Sequence, residues 1–238
     1  MWFGGLTLRI QNYPASGPSP FGGHATLGDG LVSYWKLDEA NSTRFDSVVA
    51  TGNDLTDNNT VASAAGIQGD AASFVAANNE SLTSATLAVT GLPEFTVAQW
   101  IKLPASATNG EVTFVEWNFN STFKYACHIS RPAFSNSIRV YAHTQDGSPA
   151  DMQSSVSYPD DLAWHLVIAW YDGAYHISLD GGTPGTASVS EAIYTGANRL
   201  EVGAAGWTQQ IDEVGVWSRV LTAQERTDLY NSGVGLTY

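Results

Sequence analysis

The chain has 238 residues, 43% of them hydrophobic and 14% charged, and a formal net charge of −13 from 10 basic and 23 acidic side chains. Such a length holds one large β domain or two small ones, and a single domain of this size buries roughly 70–75% of its unfolded surface, so it needs no covalent staples. The acidic balance and scattered Lys and Arg argue against a nucleic-acid partner, the lack of any run of 18 apolar residues argues against a membrane-spanning helix, and the lone Cys127 rules out an internal disulfide framework.

In chain order, residues 1–29 differ from the rest. Met1 to Leu6 is apolar and Gly-containing, and the stretch from Pro14 to Gly30 carries Pro14, Pro18, Pro20 and several glycines. This composition predicts an extended arm without its own core. Trp2, Phe3 and Leu6 are its candidate anchors on another protein subunit; the competing reading is a disordered tail. The N-terminus lacks a charged stretch followed by an apolar one, so no ordinary signal peptide is expected, and a route such as virion assembly or cell lysis is one alternative to a mature secreted form.

From Leu31 onward, short apolar-alternating runs are separated by Gly, Asn, Asp and Ser clusters. They predict strands at 31–37, 71–75, 81–83, 95–102, 112–117, 123–130, 137–143, 152–157, 164–171, 175–180, 200–203 and 211–217. Asp172-Gly173 marks a tight hairpin and Asp180-Gly181-Gly182 a second turn. Crossover helices are absent from this pattern, so the expected fold is all-β: two antiparallel sheets packed face to face as a jelly-roll sandwich over residues 30–238. Trp100, Trp164 and Trp170 read as core, and Cys127 as a small buried hydrophobe.

The last strand, Ile211 to Trp217, alternates so that Ile211, Glu213, Gly215 and Trp217 are expected on one face. It leads to a Thr222-x-x-Glu225 capping box, which predicts one short C-terminal helix with Gly233 as its C-terminal cap.

Several motifs in order resemble the laminin-G-like domains of the concanavalin A-like lectin/glucanase superfamily. They are Gly30-Leu-Val-Ser-Tyr-Trp-Lys-Leu-Asp-Glu39, Phe45-Asp46-Ser47, Asn53-Asp54-Leu55, Gly69-Asp-Ala-Ala-Ser-Phe74, Phe95 to Ile101, Trp164 to Val167, Leu179 to Gly182, and Ile211-Asp-Glu-Val with Trp217-x-Arg-x-Leu221. The resemblance covers about residues 28–234 and speaks to fold more than to function. It implies a structural calcium ion held by Asp212 late in the chain and Asp46 in the first loop. The residues themselves leave other readings open: an Asx turn at Asp46, and backbone hydrogen bonds at Asp212.

Catalysis finds little support. Retaining glycosidases place two carboxylates about 5 Å apart, and the strand motif that supplies them in laminarinase-like relatives is missing. Glu111 and Glu116 fall on opposite faces of a regular strand. The five histidines lack zinc spacing, and no nucleophile elbow or phosphate-cradling loop occurs. A sugar site needs an aromatic face and hydroxyl-pairing groups in a groove; the candidates are Trp117, Asn118, Tyr141, His143, Trp207 and Gln209.

Two functional readings follow. One is a non-catalytic structural or decorating subunit of a larger assembly, on a phage or viral particle surface, with a glycan-binding role. The other is a calcium-dependent carbohydrate-binding adhesion module of a secreted or cell-surface protein.

Overall fold

The structure, a computed structural model, describes residues 21–48, 52–84, 93–104, 112–117, 127–132, 135–143, 149–188, 199–203, 208–236 and 238; of these, 112–117, 143 and 149–153 are described by backbone alone. In chain order the strands are β1 (Leu31–Trp35), β2 (Thr56–Asn58), β3 (Ala62–Ala65), β4 (Asp70–Phe74), β5 (Ser81–Thr83), β6 (Phe95–Lys102), β7 (Val112–Trp117) and β8 (Cys127–Arg131). They continue as β9 (Ser137–His143), β10 (Pro149–Ser157), β11 (His165–Tyr171), β12 (Ala174–Leu179), β13 (Gly185–Ser188), β14 (Leu200–Val202) and β15 (Gln209–Trp217), followed by helix α1 (Ala223–Tyr230).

All pairings are antiparallel and form two sheets. One runs β13-β12-β11-β6-β15-β4-β3, with β1 also on β15; the other runs β10-β9-β8-β7-β14-β5-β2. Between them lies a dry core that includes Trp35, Phe74, Val97, Ile101, Ile129, Val140, Val167, Tyr175, Val202, Ile211 and Val216. Burying each such side chain contributes about 1.5–3 kcal/mol, the main force joining the sheets. The mostly β, two-sheet sandwich with one C-terminal helix expected from the sequence is what forms.

A second apolar cluster covers the outer face of the β6-containing sheet. Phe21, Leu27, Tyr34, Trp100, Leu166, Ile168, Trp170, Trp217 and Leu229 meet there. The α1 residue Tyr230 stacks on Trp100 at 5.9 Å, and the Arg226 guanidinium lies 4.1 Å from the Trp170 ring. The capping box forms as the sequence predicts, Glu225 N–H donating to Thr222 Oγ1 and Thr222 N–H to Glu225 Oε2. The helix ends earlier than expected: Asn231, at φ 44°, is its left-handed cap rather than Gly233.

Two further expectations are corrected. Residues 21–29 are not extended and coreless: Phe21 and Leu27 are fully buried, and Trp217 Nε1–H donates to the Leu27 carbonyl at 2.8 Å. Two apolar side chains outweigh the Gly/Pro composition there. The simple alternation of β15 is also broken. Asp212 pairs with Trp100 and Gly215 with Ala98, so Glu213 and Val214 together oppose Gln99. This is a β-bulge, with Glu213 at φ 50°. It leaves Ile211, Val214 and Val216 in the dry core and turns Trp217 outward under Leu27.

Candidate functional site

The outer face of the sheet that carries β2, β5, β14 and β7 to β10 follows from strand alternation. Leu82, Cys127, Ile129, Ile138, Val140, Leu200 and Val202 point into the core, so their neighbours Ser81, Thr83, His128, Ser130, Arg139, Tyr141 and Glu201 point away from it. Register aligns them across strands. Thr56 opposes Thr83, Thr83 opposes Glu201, and beyond the backbone position of Glu116 come His128 and Tyr141. The result is a polar row across the sheet. The other sheet's outer face, by contrast, is covered by α1 and the N-terminal segment.

Toward one end of this row the Tyr141 ring lies on His128, with centroids 4.4 Å apart, and the Arg139 guanidinium lies 4.8 Å from the Tyr141 ring. Arg139 also donates to Ser130 Oγ at 3.3 Å. At the other end Arg199 Nη2 donates to Glu201 Oε2 at 2.5 Å. Beside that pair is a cleft of about 390 Å³ lined by Thr56, Asn58, Ser81, Thr83, Ser84 and Arg199. Aromatic, hydroxyl, amide and charged groups thus share one face, the set that sugar hydroxyls and ring faces pair with.

The sequence-derived glycan candidates divide. Tyr141 is in the row. Trp117 and His143 lie on β7 and β9 of the same sheet, Trp117 in register with Cys127 and Leu200, His143 with Pro149. Gln209 is on β15 of the other sheet, opposite Phe74 and buried. Asn118 and Trp207 lie outside the described residues, as do Trp2, Phe3 and Leu6. Thr56, Asn58, Ser81, Thr83 and Arg199, which line the cleft, were not singled out from the sequence. Alternation around Leu82 and Leu200 marked some of them as outward-facing, but nothing local says that β2, β5 and β14 are neighbours.

The two calcium candidates hold backbone in place. Asp46 Oδ1 accepts from the N–H groups of Tyr34 and Val48, each at 3.0 Å. Asp212 Oδ2 accepts from Ile67 and Gln68, and its Oδ1 from Glu213, at 2.9–3.2 Å. Gly66 permits this approach, since a Cβ there would lie 2.3 Å from Asp212 Oδ2. Burial, with the adjacent Glu213 charge, pushes the Asp212 carboxyl up to about 8 against these N–H donors. Burial pushes Glu213 up to about 7 against its hydrogen bond from Tyr34. Among the described residues, no group of three or more His, Cys, Asp or Glu side chains is arranged to hold a metal ion. Both carboxylates fit the backbone-capping reading.

His165 is held structurally: Nδ1 lies 2.7 Å from Asp180 Oδ2, and Nε2 2.9 Å from Asp161 Oδ1. Cys127 is fully buried, and burial raises its thiol pKa far above the ordinary value, as expected for an inert core residue.

Among proteins of known structure, the fold is similar to the binding domain of Paraclostridial Mosquitocidal Protein 1, with 13% identity, a TM-score of 0.69, and coverage of 86% of this chain and 52% of that one. It is similar to the binding domain of Botulinum Neurotoxin DC in complex with SialylT, with 13% identity, a TM-score of 0.67, and 85% and 51% coverage. Trypanosoma rangeli sialidase shows 15% identity, a TM-score of 0.63, and 87% and 33% coverage. The chain thus spans about half the length of the toxin binding domains, and at these identities the likeness concerns the fold. A search of curated proteins gave no match. The family model of the Laminin_G_3 domain, of the concanavalin A-like lectin/glucanases superfamily, matches residues 69–225, and the chain belongs to this family.

Proposed function

We propose that this protein is a non-catalytic carbohydrate-binding module that acts outside the cell or on a particle surface, and that it binds glycan on the outward face of the sheet carrying His128, Tyr141 and Glu201. The observation that carries this reading is the asymmetry of the two outer faces. One is sealed by α1 and Phe21 to Leu27; on the other His128, Ser130 and Glu201 are buried, while Tyr141 toward one end and Thr56, Asn58, Thr83 and Arg199 of the cleft at the other keep exposed surface. Glu201, the described carboxylate of that row, is tied to Arg199, which suits recognition better than proton transfer. The toxin binding domain of similar fold that was solved with SialylT lends the reading support by analogy.

The decorating-subunit reading rests on the arm at residues 1–29, whose candidate anchors Trp2, Phe3 and Leu6 lie outside the described residues, and on the lack of an ordinary signal-peptide pattern and the lone cysteine. Amide chemical-shift mapping of the full chain with a bound oligosaccharide tests the proposal. Shifts concentrated on β5, β8, β9 and β14 are expected; shifts confined to the α1 side would overturn it.

A further inference from the structure

We infer that the cleft lined by Thr56, Asn58, Ser81, Thr83, Ser84 and Arg199 is the sugar-binding subsite, and that it takes a neutral, hydroxyl-rich ring rather than a sialylated or otherwise anionic one. The inference rests on the glycan-binding reading above and adds both the place and the ligand class.

The hydrogen-bond inventory of the cleft points this way. Asn58 Nδ2 donates to the Ser81 carbonyl at 3.3 Å and to Thr83 Oγ1 at 3.1 Å. The carbonyl fixes the amide's orientation, because only the NH2 end donates. Asn58 Oδ1 is therefore an acceptor offered to a ligand. Thr83 Oγ1 accepts from Asn58, and Ser84 Oγ accepts from the Leu200 N–H at 3.1 Å. The Thr83 hydroxyl keeps its own proton to donate, whereas Ser84 is buried and points inward with Leu82. The cleft thus presents the Asn58 acceptor and the Thr83 donor side by side, and each sugar hydroxyl is both.

Charge argues in the same direction. Arg199 is the cation of the cleft, and its Nη2 is already joined to Glu201 Oε2. A carboxylate or sulfate entering there would have to displace or face Glu201, within a protein of net charge −13. A neutral diol meets no such opposition: one hydroxyl can accept from the guanidinium while its neighbour donates to the carboxylate. A volume of about 390 Å³ suits one or two sugar rings.

The test is an affinity measurement of the full chain against matched neutral and sialylated oligosaccharides, beside Thr83→Val, Asn58→Ala and Tyr141→Ala, with melting temperature as the folding control. The inference expects the neutral member to bind, added sialic acid to give no gain, and Thr83→Val and Asn58→Ala each to weaken binding by about tenfold with melting unchanged. Binding that requires sialic acid overturns the ligand class. Neutral binding that survives both cleft substitutions and is lost in Tyr141→Ala overturns the subsite and leaves the glycan-binding reading standing. No binding by either member overturns both.

Discussion

The ring of Tyr141 rests on that of His128, 4.4 Å between centroids, across neighbouring strands on the outward face of the sheet. Half-buried from below and flanked by Arg139, Tyr141 offers a ring already fixed in orientation, so little side-chain entropy is lost when a sugar packs on it. Tyr141→Ala is expected to weaken glycan binding by about tenfold or more, about 1.4 kcal/mol. Affinity measured beside thermal melting checks it; unchanged affinity would remove Tyr141 from the site.

Phe21 anchors the N-terminal segment to the domain. It is fully buried, edge-on to Tyr34 at 5.2 Å and to Tyr238 at 5.3 Å. Phe21→Ala should cost about 3–5 kcal/mol by leaving a cavity. Chemical denaturation reads this directly, and a loss below about 1 kcal/mol would mean the segment adds little to the fold.

Gln99 is fully buried in β6 between Val97 and Ile101, and neither its Oε1 nor its Nε2 has a hydrogen-bond partner. An unsatisfied buried amide costs about 1–3 kcal/mol. Gln99→Met, similar in shape and without polar hydrogen-bonding needs, is expected to raise stability by an amount in that range, seen as a higher melting temperature.

Stability should decline as pH rises from the acid side through neutrality. Burial lowers the pKa of His165, but its hydrogen bonds to Asp180 and Asp161 outweigh this and the net shift is upward. A raised folded pKa gives stability that is complete below the unfolded value of about 6.5 and is lost as pH rises through the folded one. Glu213, raised from 4.5 to about 7, has the same sign, because the folded state holds its proton. The melting temperature is therefore expected to fall between about pH 4.5 and about pH 7 through Glu213, and further above about pH 6.5 through His165. His165→Gln and Glu213→Gln should each flatten part of that fall; an unchanged profile in both would contradict the assignment.

Legibility followed the strength of the local pattern. The runs 95–102 and 164–171 are dense in apolar and β-branched residues, and β6 and β11 lie there within one residue. The turn at Asp172-Gly173 and the capping box of α1 also formed as read, because each is settled by a few adjacent residues. The strands β2, β3 and β13 were missed: Thr-Asp-Asn, Ala-Ser-Ala-Ala and Gly-Thr-Ala-Ser carry no apolar alternation and are held by backbone pairing to neighbours. The bulge at Glu213 was equally hidden, since it depends on the loop amides of Ile67 and Gln68 closing on Asp212. The site shows the same division. Tyr141 could be singled out as an aromatic near a strand end, but the cleft exists only because β2, β5 and β14 come together.

Glycan binding is tested most directly by an array probed with the full chain and with Tyr141→Ala, in calcium and in chelator. Specific glycan binding is expected, diminished in Tyr141→Ala and unchanged by chelation, since Asp46 and Asp212 accept hydrogen bonds from backbone N–H groups. A blank array in both conditions would contradict the assignment of this protein as a carbohydrate-binding module.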